Sequence, residues 1–316
     1  MRIAGTNSGQ ATSAADARCP GEGEQIMADQ MPSGKNKGQS IANVDVEAMS
    51  RQLSRDLPRV VGDGVTWIGA CLPFEIDGRL IHGHNSAYLV QGTEASLLVD
   101  TGAPSSWDAI EQVLDKVLDG QPLTYLFATH PELPHTGNLP RLVAKYPQLK
   151  VIGDIRDYHL FYPEVIDSLD GTKEGDRIDL GGGYEFVVLE AMIRDLPNTQ
   201  WGYAPKARAL FTADGFCYMH RPELDDEDPF HLPGECALTT DELRQPIAVE
   251  NAAFFTGSAL YFSRFVDDAE ELYARVAEVA ERLEVKIVCP THGNVITNLS
   301  EVLPIVRAGH KHAFRG

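Results

Sequence analysis

The residues Thr129-His130-Pro131-Glu132-Leu133-Pro134-His135-Thr136-Gly137-Asn138 follow the apolar run LTYLFA and lead into NLPRLVAKY, which reads as a helix. Three potential metal ligands therefore crowd the end of a buried strand. Residues two apart in an extended chain project the same way, so His130 and Glu132 share a side. His135 begins the next helical turn and can point back at the same space. One metal or two fits such a cluster. Two more strands end in a ligand type. ALFTAD delivers Asp214, and IVCPTHG delivers His292 just before Gly293, which lets the backbone turn tightly.

Upstream of this stretch, VTWIGACLPFEI, NSAYLVQG and ASLLVDTG are short β-rich runs separated by Gly, Asp and His, as expected of successive antiparallel strands. SSWDAIEQVLDKVLDG then reads as an amphipathic helix. It has Ser at the N-cap, apolar residues at Ile110, Val113 and Val117, and a stop at Gly120. Downstream, KVIG reads as a strand, IDLGGGYEFVVLE as a hairpin and KARALFTAD as a strand. DDAEELYARVAEVAERL is a helix, VKIVCPTH a strand, and SEVLPIVRAGHKH a final helix. Such mixing predicts an α/β fold with sheets flanked by helices, built as one domain over residues 46–316. Residues 1–45 are dominated by small and polar side chains and are expected to be a disordered tail. RPELDDEDPFHLPGECALTTDELRQP reads as a long acidic loop.

The chain has 316 residues, with 27 Lys and Arg against 46 Asp and Glu. The resulting net charge of −19 repels phosphate backbones and anionic lipid surfaces, which argues against nucleic acid or a membrane as partner. Neither a long apolar span nor a secretory signal is evident, so the expected location is cytoplasmic. The cysteines Cys19, Cys71, Cys217, Cys236 and Cys289 are scattered, without a CxxC pair. Cys71 and Cys289 read as small core hydrophobes.

In the order HNSAYLV, LLVDTG, HPELPH, LFTADGF and CPTHG, the chain resembles the metallo-β-lactamase fold superfamily over roughly residues 60–310, and within it the flavodiiron branch, whose first motif is H-x-E-x-D-H. The resemblance implies a four-layer αββα sandwich. It implies that His130 and Glu132 bind a first metal and His135 and His292 a second, with Asp214 bridging the two. Two positions depart from the family pattern. Pro134 stands where the motif has Asp, and proline cannot ligate through its side chain. In IRDLPNTQWGY, aligning the prolines with the family segment H-W-P-D-S puts Asp195 where a histidine ligand is expected.

The implied metal set is His130, Glu132, His135, Asp195, Asp214 and His292. Three imidazoles with three carboxylates suit two iron ions (Fe2+/Fe3+), with Zn2+ or Mn2+ as alternatives. The expected activity is that of a non-haem diiron oxidoreductase or oxygenase acting on dioxygen or a similar small oxidant, with a small-molecule organic substrate and a separate electron donor or reductase. The runner-up is a zinc-dependent hydrolase of an ester, thioester or lactone. His84 and Tyr203 are the catalytic candidates, His84 because it precedes Asn85 at a strand start, Tyr203 because it follows the Asp195 segment. Tyr218, His220 and His231 are weaker pocket candidates, and His82 reads as a surface residue. Asp100 in LLVDTG reads as a strand-to-turn tie or a support for a ligand. Assembly stays open between a single chain and a homo-oligomer.

Overall fold

The computed structural model describes residues 57–76, 79–219, 235–243, 246–260, 265–266 and 268–313, and for 73–76, 79–82 and 235 the backbone alone. The expected tail (1–45), His220, His231 and the side chain of His82 lie outside the described residues.

The first sheet runs β1 (Arg59–Gly62), β2 (Val65–Ile76), β3 (Arg79–Gln91), β4 (Ser96–Val99), β5 (Tyr125–Phe127) and β6 (Lys150–Ile152) in sequence order. Its first four strands are antiparallel and its last three parallel. Four helices belong to this half: α1 (Trp107–Leu118), α2 (Leu133–Thr136), α3 (Leu139–Lys145) and α4 (Tyr158–Phe161). The second sheet has the order β11-β10-β9-β8-β7, with β7 (Arg177–Gly181), β8 (Tyr184–Glu190), β9 (Gln200–Ala204), β10 (Ala209–Phe211) and β11 (Ile287–Cys289). Only β10 and β11 in it are parallel. Helices α5 (Val249–Ala259), α6 (Ala269–Arg282) and α7 (Leu299–Ala313) complete the chain.

Period-two alternation builds the layers. Trp67, Tyr88, Val90, Leu97 and Phe127 from the first sheet meet Phe186, Val188, Phe211 and Cys289 from the second in a core between the sheets. The alternate positions Ile68, Ala87, Leu89 and Leu98 pack outward against Ile110, Leu114 and Leu118 of α1 and Leu139 and Leu142 of α3. On the opposite side Trp201, Leu210 and Val288 pack against Phe255, Tyr273, Val276, Val302 and Val306 of the last three helices. The fold is thus the expected four-layer αββα sandwich. In α1 the buried stripe is Ile110, Leu114 and Leu118, with Val113 and Val117 on its flank. The chain leaves that helix through Asp119 and Gly120, both left-handed. No described helix is long and apolar enough to cross a membrane.

One end of the sandwich is stitched across the sheets. Ser86 N donates to Thr291 O at 2.9 Å, Gln200 N to Thr129 O at 3.0 Å, and the Tyr88 hydroxyl to Pro290 O at 2.6 Å. Thr129 and Thr291 each immediately precede a histidine singled out above, so these bonds fix the strand ends that carry them.

Candidate metal centre

His130 follows β5, Asp214 follows β10, His292 follows β11, and Asp195 precedes β9. His135 lies in α2, whose N-cap is Glu132 and whose first turn accommodates Pro134, a position where a missing N–H costs nothing. The structure brings all six together. His130 Nε2 lies 4.0 Å from Glu132 Oε2, 3.5 Å from Asp195 Oδ2 and 3.7 Å from Asp214 Oδ2. His135 Nε2 and His292 Nε2 each lie 3.4 Å from Asp214 Oδ1. Asp214 therefore offers one oxygen toward His130 and the other toward His135 and His292, the disposition a bridging carboxylate needs. His130, His135, Asp195 and Asp214 are buried, whereas the Glu132 side chain is 45% exposed and marks the open side.

Three of these buried atoms, His130 Nε2, His135 Nε2 and Asp214 Oδ1, have no hydrogen-bond partner. Buried polar atoms are ordinarily satisfied, and three left bare in one cluster are what a cation would occupy. The donors divide into two overlapping groups, His130–His135–Asp214 and His130–Glu132–Asp195–Asp214, each with its ligand atoms within 4.8 Å of one another.

Electrostatics favours the same reading. Burial, with His135 adding to it, pushes His130 down to about 3, and burial also holds His292 below its ordinary value. Both are thus neutral, the form that ligates. Burial and the nearby Asp214 raise Asp195 to about 7, and the same causes raise Glu132. For His135, burial opposes the charge, yet Asp100 and Asp214 outweigh it and raise the imidazole well above its usual range. Burial works against the Asp214 carboxylate as well, but His135, His292 and His130 hold it below the usual range. The crowded carboxylates thus raise one another's proton affinity, a repulsion that a positive ion would relieve.

Asp100 organises the ring of His135. Its Oδ2 lies 2.8 Å from His135 Nδ1 and accepts from Thr291 Oγ1 at 3.0 Å, while its Oδ1 accepts from Thr129 N and Oγ1 at 2.9 Å. With Nδ1 committed to a carboxylate, Nε2 is the nitrogen turned to the cluster. His292 is oriented the same way, its Nδ1 2.5 Å from the His84 carbonyl. The support for His292 thus comes from the backbone of His84. The imidazole of His84 is directed elsewhere, with Nε2 2.7 Å from the Cys236 carbonyl.

Tyr203 is not brought to the cluster. It packs with Val187 and Leu210 on the helix-facing side of the second sheet, and its hydroxyl donates to the carbonyl of Leu283 just beyond α6. Tyr218 is buried and donates to Asn294 Oδ1 at 2.9 Å. Sequence reading missed Thr129 and Thr291 as joint donors to Asp100; the signal available was the Thr-His pair that occurs at both 129–130 and 291–292.

The profile of the Metallo-beta-lactamase superfamily matches residues 80–294. Coenzyme F420H(2) oxidase of Methanocaldococcus jannaschii is 23% identical over 261 residues, 77% of this chain and 58% of the relative. Flavo-diiron protein FprA2 of Clostridium acetobutylicum is 26% identical over 183 residues, 55% of this chain and 45% of the relative. Among solved structures, rubredoxin oxygen:oxidoreductase from Desulfovibrio gigas aligns with a TM-score of 0.62 at 17% identity, covering 81% of this chain and 61% of that one. A fragment (1–254) of diflavin flavoprotein A 5 from Nostoc sp. aligns at 0.60 and 14% identity, covering 82% and 96%. The chain therefore spans less than two thirds of the length of the curated relatives named here.

Proposed function

Since the chain belongs to the metallo-β-lactamase superfamily and gathers three carboxylates with three imidazoles at one strand-end cluster, we propose that it is a non-haem diiron oxidoreductase that passes electrons from a separate donor to dioxygen or a similar small oxidant. The observation that carries this reading is the trio of buried, unpartnered donor atoms, His130 Nε2, His135 Nε2 and Asp214 Oδ1, set among further carboxylates. His130, Glu132 and Asp195 would hold one ion, His135 and His292 the other, and Asp214 both. Two ferrous ions bring +4 against −3 from the carboxylates, and such an oxygen-rich mixed set suits a metal that changes oxidation state better than the histidine-rich sets of zinc hydrolases. When bound, the pair of ions supplies redox equivalents and open coordination positions.

This chain's own residues set the terms of that chemistry. Asp100 and the His84 carbonyl hold the two imidazoles His135 and His292 in one tautomer. Pro134 contributes no side-chain ligand beside His135, which leaves room for the oxidant or an organic substrate there. Glu132, half exposed, stands at the mouth of the otherwise buried cluster, so the ion it would hold is the one nearer the open side.

The test is the metal content per chain of protein made with both iron and zinc available, with its visible spectrum, for wild type and Asp214→Ala. About two irons per chain, lost in the variant, together with oxygen consumption on addition of a reductant, is the expected result. Stoichiometric colourless zinc with ester or thioester turnover would overturn it in favour of a hydrolase.

A further inference from the structure

Cys71, His84 and Cys236 form a second cluster of donors outside the six residues described above. One ligand atom of each lies within 4.8 Å of the other two, and all three residues are buried. They come from three places in the chain: β2, β3 and the single helical turn Glu235–Ala237. Cys71 is the direct cross-strand partner of His84, and directly opposed residues project from the same face of a sheet. The turn brings Cys236 over that face. Its carbonyl lies 2.7 Å from His84 Nε2. A carbonyl only accepts, so Nε2 carries the proton and Nδ1 is the lone-pair nitrogen. The Trp67 ring lies against the imidazole, centroids 5.3 Å apart, its indole N–H donating away to Ser86 Oγ at 2.9 Å. Trp67 thereby presents an apolar wall to the cluster.

Two thiols and a neutral imidazole are a soft donor set. It disfavours hard ions such as magnesium and calcium and matches zinc. Charge points the same way. Uptake of a divalent cation releases one proton from each thiol, and two thiolates then balance the ion's two charges, leaving the buried site neutral. We propose that Cys71, His84 and Cys236 bind one thiophilic divalent cation of the zinc type, separate from the six-residue cluster and independent of the function proposed for it. Three protein donors leave a fourth position for water or a small anion. The site would pin the Glu235–Ala237 turn to the β2–β3 ribbon. It is also joined to the first cluster, because the residue whose imidazole would ligate here uses its backbone carbonyl to orient His292.

Cobalt(II) is the probe, added to protein that retains its purification metals. One further cobalt per chain, with a near-ultraviolet thiolate-to-cobalt charge-transfer band, is expected in wild type and in Asp214→Ala. The band should be lost in Cys71→Ser and in Cys236→Ser. Because either serine variant can fail to fold, zinc-edge X-ray absorption on zinc-loaded wild type gives an independent reading. Sulfur scatterers at about 2.3 Å are expected, and the six-residue cluster contributes no sulfur. Only nitrogen and oxygen neighbours, cobalt uptake without a thiolate band, or a Cys71–Cys236 disulfide in freshly purified protein would each overturn the proposal.

Discussion

Asp100 shows how much one carboxylate does from behind the ligands. It accepts from Thr129, Thr291 and His135, which lie just beyond β5, just beyond β11 and on α2, and it does so from a left-handed backbone with φ of 57°. Asn tolerates that conformation, so Asp100→Asn isolates the chemistry from the strain. Its amide replaces one acceptor oxygen by a donor and loosens the His135 ring. Metal affinity should fall about 10- to 100-fold in a chelator competition with secondary structure unchanged; wild-type affinity would mean that His135 needs no such anchor. Pro134→Asp asks the converse question. An acidic residue is favoured in the first turn of a helix, so the fold should tolerate it. On the two-ion reading proposed above, the added carboxylate should slow release of one metal and leave the other as it was. Four of the candidate ligands, His130, Asp195, Asp214 and His292, were readable because each lies just beyond or before a strand, where side chains from different strands converge, whereas Glu132 and His135 cap and sit in the short helix α2 that follows β5. Asp195 was reached through one aligned proline and the aromatic residues Trp201 and Tyr203 that follow it, and its Oδ2 lies 3.5 Å from His130 Nε2. Tyr203 was misplaced by the same segment, since proximity in sequence does not say which face of β9 a side chain takes. Cys71 and Cys236 lie too far apart in sequence for any spacing rule to pair them.

At the level of elements, β9 links Asp195 to the core between the sheets, and Gly202 is the position that lets it pass. A Cβ there would meet Phe186 Cζ at 2.1 Å, and Phe186 is locked against Phe127 and Phe211, with ring centroids 5.0 and 5.6 Å away. Gly202→Ala should therefore destabilise the protein by about 1–3 kcal/mol in urea unfolding, by overpacking rather than by loss of contact. An unchanged midpoint would mean that Phe186 can swing aside. Most of the strand and helix order was legible, because strand alternation and helix end signals are local. The hairpin of β7 and β8, the strand β10 and the helix α6 stand where the sequence puts them. β9 and α5 were not readable as elements. The five residues of β9 are all buried, so it shows no alternation, and α5, VENAAFFTGSA, mixes apolar and small residues without a clear stripe.

At the scale of the molecule, two of the described contacts between segments distant in sequence each give a measurable dependence. Arg59 at the start of the first sheet donates to Glu242 Oε2 at 2.6 Å and to Oε1 at 2.8 Å, and also to the Ala237 carbonyl at 2.6 Å. The bonds from Arg59 hold the Glu242 carboxyl down at about 2 against an ordinary 4.5. A carboxylate depressed on folding contributes stability that is complete above its unfolded value and is lost as pH falls through the folded one. The stability difference between wild type and Glu242→Gln should thus be present at neutral pH and vanish between pH 4.5 and about 2. It should stay below about 1 kcal/mol, because the pair is partly exposed. A difference that persists at pH 2 would assign it to packing.

The second lies at the candidate metal cluster, where His130, beyond the first sheet's β5, meets Asp214, beyond the second sheet's β10, and Asp214 in turn meets His292. Without a cation, the fold must bury unpartnered imidazole nitrogens and carboxylates that raise one another's proton affinity. An ion bound there would remove both costs and tie the sheets together, which would link metal binding to global stability. For an ion that binds the folded chain alone, stability rises by about 2.7 kcal/mol at 100 times the dissociation constant, and by about 1.4 kcal/mol for each further tenfold. The melting temperature should therefore climb with the logarithm of free metal in a chelator-buffered series and drop on full chelation. In Asp214→Ala that slope should flatten, because the carboxylate common to both groups of donors is gone. A wild-type melting temperature indifferent to chelator would mean that the six donors are satisfied by one another and that the sheets hold this end closed without an ion.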